Sequence, residues 1–185
     1  MSNSALMISV DVEASGPYPG RYSLLSIGAC VVHAPEQTFY CELKPATSES
    51  DPAAMSVTGF SLDELTRRGL EPAKAMRRFE TWLETVKRED DALLFVGFNA
   101  AFDWAFVNHY FLQWIGRNPF GFAALDIKSY YMGATGVPWA DTKSSVMTAA
   151  LGASLKGDHN ALNDALYQAE LFRLAEGTIR ERSRR

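Results

Sequence analysis

Cysteine is nearly absent: Cys30 and Cys41 are the two in a chain of 185 residues. Two thiols cannot build a disulfide framework or a thiolate metal site, which excludes the disulfide-stapled and zinc-ribbon classes. They are expected as small buried groups facing each other across a hairpin whose turn is Ala34-Pro35-Glu36-Gln37. Long apolar runs are missing as well. No segment approaches the ~20 apolar residues of a membrane span, so no membrane partner is expected. The start, Met1-Ser2-Asn3-Ser4, lacks the basic region of a secretory leader, and a cytoplasmic location is the expectation. There is no surplus of positive charge either: 18 Lys and Arg stand against 22 Asp and Glu, for a formal net charge of −4. Weak or short-range substrate binding follows more naturally from that balance than tight gripping of a long duplex.

What is present suits one soluble domain. Apolar residues make up 47% and charged residues 22% of the chain, enough for a single sizeable core and too little length for two. The expected boundaries are 1–178 for the domain and 179–185 for a frayed basic tail. Strands are predicted over 6–10, 23–32, 38–43, 92–97 and 123–126. Ser15-Gly16-Pro17-Tyr18-Pro19-Gly20 must be a loop, and 45–52 a polar connection. Ser61-Leu62-Asp63-Glu64 is a capping box opening a short helix, and Pro72 suits the first turn of a longer one striped by Met76, Phe79, Leu83 and Val86. Further helices are predicted over 102–114, aromatic and apolar nearly all round, and near 142–151 and 161–175. The fold class is α/β: a five-stranded mixed sheet, three antiparallel strands then two parallel ones, flanked by helices.

Chemistry concentrates in three short segments. Asp11 and Glu13 are two apart at the end of the first strand and so project from one face. Asp103 falls in the first turn of the aromatic helix, and His159 precedes Asp164 by five residues at the start of the last helix. Singly, each has an ordinary explanation: an exposed strand end, an acid favoured by a helix dipole, a loop histidine. Together, the four carboxylates would repel one another without cations, and hard oxygen donors select Mg2+ or Mn2+. Their charge of −4 equals the net charge of the whole chain, so two divalent ions would leave the protein close to neutral.

The segments Val10-Asp11-Val12-Glu13-Ala14-Ser15-Gly16, Asn99-Ala100-Ala101-Phe102-Asp103 and His159-Asn160-Ala161-Leu162-Asn163-Asp164 resemble, in order and separation, the three motifs of the DnaQ-like, DEDDh-type 3′–5′ exonucleases. The resemblance implies an RNase H-like fold and one exonuclease domain. It implies two Mg2+ or Mn2+ ions on Asp11, Glu13, Asp103 and Asp164, with His159 as general base. The substrate it implies is the 3′ end of single-stranded RNA or DNA, releasing nucleoside 5′-monophosphates; many similar proteins are homodimers. Two ions ~3.5–4 Å apart can activate a water and stabilise both oxygens of an in-line displacement, and imidazole changes charge near neutral pH.

Departures fall outside the carboxylates. Where relatives carry two threonines and then Gly-Leu, this chain has Ala14, Ser15, Gly16 and Pro17, and Ser26 stands where many have glutamate. Ala14, Ser15 and Gly16 are the expected contacts to the terminal nucleotide, with Tyr18 and Phe60 as stacking partners; Phe102 and Phe106 are expected as core. Lys143 and Lys156 are the better phosphate candidates, and Arg77 and Arg78 a solvated helix face. Two competing functions stand beside the exonuclease: a non-catalytic nucleic-acid-binding or scaffold domain that retains the fold, and a hydrolase of small phosphodiesters or dinucleotides.

Overall fold

The computed structural model describes residues 5–182, with side chains described as far as 178. The first strand, β1 (Ala5–Ala14), is apolar without alternation because it lies in the middle of the sheet with both faces covered. An antiparallel meander adds β2 (Leu24–Val31) and β3 (Ala34–Glu42) on one side, and parallel crossovers add β4 (Ala92–Gly97) and β5 (Ala124–Asp126) on the other. The order β3-β2-β1-β4-β5 is the mixed sheet that the sequence predicts.

The hairpin differs in detail. Its turn is Val32-His33, and Ala34 to Gln37 already belong to β3, an edge strand that tolerates Pro35 because it pairs only with β2. Cys30 therefore pairs with Thr38, and Cys41 with Ile27. The two thiols do not meet: Cys30 Sγ lies 3.5 Å from the Ala165 carbonyl on one face, and Cys41 packs in the core of the other.

The helices are α1 (Pro52–Thr58), α2 (Leu62–Arg68), α3 (Pro72–Val86), α4 (Ala101–Trp114), α5 (Ile127–Thr135), α6 (Ser144–Leu151) and α7 (Ala161–Arg182). The Ser61 hydroxyl accepts the Glu64 N–H to start α2, and Pro72 opens α3, as predicted. Of the expected tail over 179–185, residues 183–185 lie outside the described residues, and the bounds of α7 take in the rest. Helix α4 is less enclosed than its composition suggests, since Leu112 and Trp114 stay exposed. One core lies between the sheet and α3 and α4, around Phe39, Phe79, Phe106 and Phe111; the other lies between the sheet and α5 to α7, around Val96, Ile127, Tyr131 and Phe172.

Small residues bring α7 down onto the sheet. Ala161, Ala165 and Ala169 are fully buried, and the Ser9 hydroxyl donates to the Ala165 carbonyl at 2.8 Å. Gly28 completes the approach: a Cβ there would lie 2.1 Å from the Ala161 carbonyl carbon and oxygen. The first turn of α7 thus rests beside the C-terminal end of β1, the end that carries Asp11 and Glu13.

Candidate active site

Asp11 and Glu13 face α7 from the last turn of the β1 ladder, both largely shielded from water. Asp103 joins them for a local reason. Strand β4 pairs with β1 only as far as Ser9↔Val96, which leaves the later N–H groups of β1 on that side without a strand partner. The Asp103 carboxylate, in the first turn of α4, accepts the Val12 N–H at 3.0 Å between the two β1 acids. The loop before α4 is pinned twice: the Phe98 N–H donates to Gln168 Oε1 and the Ala100 N–H to Asp126 Oδ2, each at 2.9 Å. Between them Asn99 takes φ 60°, a left-handed conformation that asparagine tolerates.

Asp164 is placed by the start of α7, where the Asn160 side chain accepts the Leu162 and Asn163 N–H groups as an N-cap. The Asp164 carboxylate reaches back to accept the Asp158 N–H at 2.9 Å and the His159 N–H at 3.2 Å. His159 is exposed at the rim with φ 61°, a conformation held by that contact. Glu13, His159 and Asp164 each offer one ligand atom, and these atoms lie within 4.8 Å of one another. A Cβ at Gly157 would approach Asp164 Oδ1 to 2.7 Å, so a larger residue there would push that carboxylate aside.

Electrostatics mark the cluster as strained when bare. Burial, then repulsion from Asp103, Asp164 and Glu13, pushes the Asp11 carboxyl well above the usual range. Burial, with Asp164 and Asp158 adding repulsion, pushes Glu13 up to about 7. Burial pushes Asp103 up to about 8 despite the Val12 N–H, and raises Asp164 as well. Among the described residues, no Lys or Arg forms an ion pair with any of the four. Converging hard-oxygen donors that cannot all ionise unaided fit a divalent cation. Across the ladder from Glu13 stands Ser26, whose buried Oγ has no hydrogen-bond partner.

Two cavities meet these acids. One of about 590 Å³ is lined by Asp11, Phe98, Lys156, His159, Asp164 and Gln168. A second of about 410 Å³ adjoins Glu13 and is lined by Ala14, Gly16, Pro17, Val57 and Phe102. Ser15 does not face it: its buried hydroxyl donates to the Glu49 carbonyl and accepts the Ser23 N–H, holding the loop. Tyr18 stands edge-on against Tyr22, and Phe60 is half-buried; neither borders either cavity. Phe102, expected as core, packs on Phe106 at 5.2 Å and also walls the second cavity. Gln168 and Asp126 escape the sequence reading, although Gln168 lies one helical turn beyond Asp164 on the same face.

The five-stranded mixed sheet flanked by helices is the RNase H-like fold, and the class of protein is a 3′–5′ exonuclease. The chain belongs to the family of 3′-5′ exoribonuclease Rv2179c-like domains, which matches residues 6–175. It is 52% identical over 175 residues to the 3′-5′ DNA exonuclease Cap18 of Escherichia coli, covering 95% of this chain and 94% of that protein. Its fold is similar to the nuclease domain of 3′hExo, a DEDDh family member bound to rAMP (TM-score 0.71, 17% identity, 97% of this chain and 94% of that one). It is also similar to zinc-bound E. coli ExoI in complex with ssDNA (TM-score 0.72, 18% identity, 95% of this chain and 41% of that one). No helix among the described residues is long and apolar enough to cross a membrane.

Proposed function

We propose that this exonuclease removes nucleotides from the 3′ end of single-stranded nucleic acid, with single-stranded DNA as its first substrate, releasing nucleoside 5′-monophosphates. The observation that carries the reading is the gathering of Asp11, Glu13, Asp103 and Asp164, each with a raised carboxyl pKa, beside His159. The preference for DNA rests on the 52% identity to a protein named as a DNA exonuclease. The four carboxylates would hold two Mg2+ or Mn2+ ions, which when bound supply an activated water and shield the phosphate charge. His159, exposed at the rim, accepts the water's proton at a ring nitrogen and can pass it to solvent. The cavity walled by Ala14, Gly16, Pro17 and Phe102 receives the terminal nucleoside beside Glu13. Lys156, in the other cavity, meets the backbone phosphate.

We read 1–178 as the one exonuclease domain, a reading supported by two helical layers closing on one sheet among the described residues. Two buried free thiols suit a reducing, cytoplasmic compartment. The test uses 5′-labelled single-stranded DNA and RNA with Mg2+ or Mn2+. The expected result is stepwise shortening from the 3′ end, abolished by EDTA and by Asp11→Asn or Asp164→Asn. Full activity in EDTA, or in both variants, would overturn the reading.

A further inference from the structure

We infer that Gln168 is the positioning residue of this site: its side-chain amide ties Asp11 to the loop before α4 and sets where the Asp11 carboxylate stands. The inference rests on the reading of Asp11 as a metal ligand. Gln168 is 5% exposed, and both of its polar atoms are engaged. The Phe98 N–H can only donate, so it fixes Oε1 of the amide on its own side at 2.9 Å. The NH2 group is thereby turned toward Asp11, where Nε2 donates to Oδ1 at 2.5 Å. An amide oriented this way meets an acceptor, which is what a ligating carboxylate must be.

The contact spans three segments distant in the chain: β1 through Asp11, the end of β4 through Phe98, and α7 through Gln168 itself. Asp126 also pins the loop, through Ala100, but it touches none of the four carboxylates. One face of α7 therefore carries a ligand, Asp164, and one turn later the group that orients another ligand. Among the described residues, the hydrogen bond from Gln168 is the one that Asp11 accepts on its side chain, through Oδ1. Partners of this kind typically alter metal affinity or activity 10- to 100-fold when removed.

The experiment compares wild type with Gln168→Met, which keeps length and packing but loses both hydrogen bonds. Gln168→Leu serves beside it, shorter in reach and likewise without a donor or acceptor. Mn2+ binding without substrate is measured by titration calorimetry, and kcat and KM on a single-stranded oligonucleotide are measured separately. Both variants are expected to bind Mn2+ roughly 10- to 100-fold more weakly, with kcat down by a similar factor and KM within about twofold. Because Gln168→Leu is less demanding of space, it carries the test if Gln168→Met does not fold. Mn2+ affinity and kcat within about twofold of wild type in either folded variant would overturn the inference. A lowered melting temperature with unchanged Mn2+ affinity would do the same, leaving Gln168 a packing residue. Wild-type protein that binds no Mn2+ would bring down the reading of the site, and this inference with it.

Discussion

Replacing Glu13 with glutamine should make the metal-free protein more stable, and the gain should depend on pH in a defined direction. Burial and the nearby Asp164 and Asp158 raise this carboxyl from an ordinary 4.5 to about 7. The folded protein therefore holds the Glu13 proton more tightly than the unfolded chain does. Stability from this group is complete below about pH 4.5 and is lost as pH rises through about 7. At ~1.4 kcal/mol per pH unit, the loss at pH 8.5 is about 3 kcal/mol, an upper figure because water can enter and neighbours can relax. For a chain of this size ~1 kcal/mol moves the melting temperature by roughly 2–4 °C. Wild type in EDTA should thus melt close to Glu13→Gln at pH 5 and roughly 6–12 °C below it at pH 8.5. Saturating Mg2+ should narrow the gap by stabilising wild type more than the variant, a ligand at 100 times its Kd contributing about 2.7 kcal/mol. Differential scanning calorimetry across that pH range is the assay. A gap that is flat with pH, or a variant less stable than wild type at pH 8.5 in EDTA, would refute the electrostatic argument.

Other changes separate the parts of the site. Asp103→Asn keeps an acceptor for the Val12 N–H and should fold normally, melt higher than wild type in EDTA above pH 8, and lose activity; an unchanged kcat would remove Asp103 from the site. His159→Ala should lower kcat by about 10²–10⁴-fold while Mn2+ binding by calorimetry is kept, the split expected of a proton acceptor at the rim. Phe102→Ala should raise KM for a single-stranded substrate roughly 5- to 150-fold, the equivalent of ~1–3 kcal/mol of lost stacking, and a KM within twofold would move the terminal base elsewhere. Gly28→Ala should destabilise by about 3 kcal/mol or more in urea unfolding, because its Cβ would overlap the Ala161 backbone.

Much of the architecture was legible because apolar pattern and breakers decide it. The unalternating run in β1, the Ser61–Glu64 cap and Pro72 each act through neighbours in the chain, and each stands where the pattern puts it. Helix α1 was not legible: it buries no residue, so it has no apolar stripe, and only Asp51 accepting the Ala53 and Ala54 N–H groups holds its start. The hairpin turn was misplaced because Pro35 reads as a turn residue, while an edge strand accommodates it.

The site divides along the same line. Carboxylates two apart on a strand share a face whatever the rest of the chain does, so Asp11 and Glu13 could be read as a pair from spacing alone. Gln168 could not, because a glutamine one turn after Asp164 looks identical on a solvated helix and on one pressed against a sheet. What distinguishes the two cases is how near α7 comes to β1 and β2, and that is decided by Gly28 on β2 and by Ala161, Ala165 and Ala169 on α7. The alanines recur every four residues and mark an apolar face of α7, but their spacing does not tell how closely that face approaches the sheet, which is what converts Gln168 from a surface amide into a buried one. A bulkier residue at Gly28, directly across the ladder from Asp11, should therefore weaken Mn2+ binding by lifting Asp164 and Gln168 together.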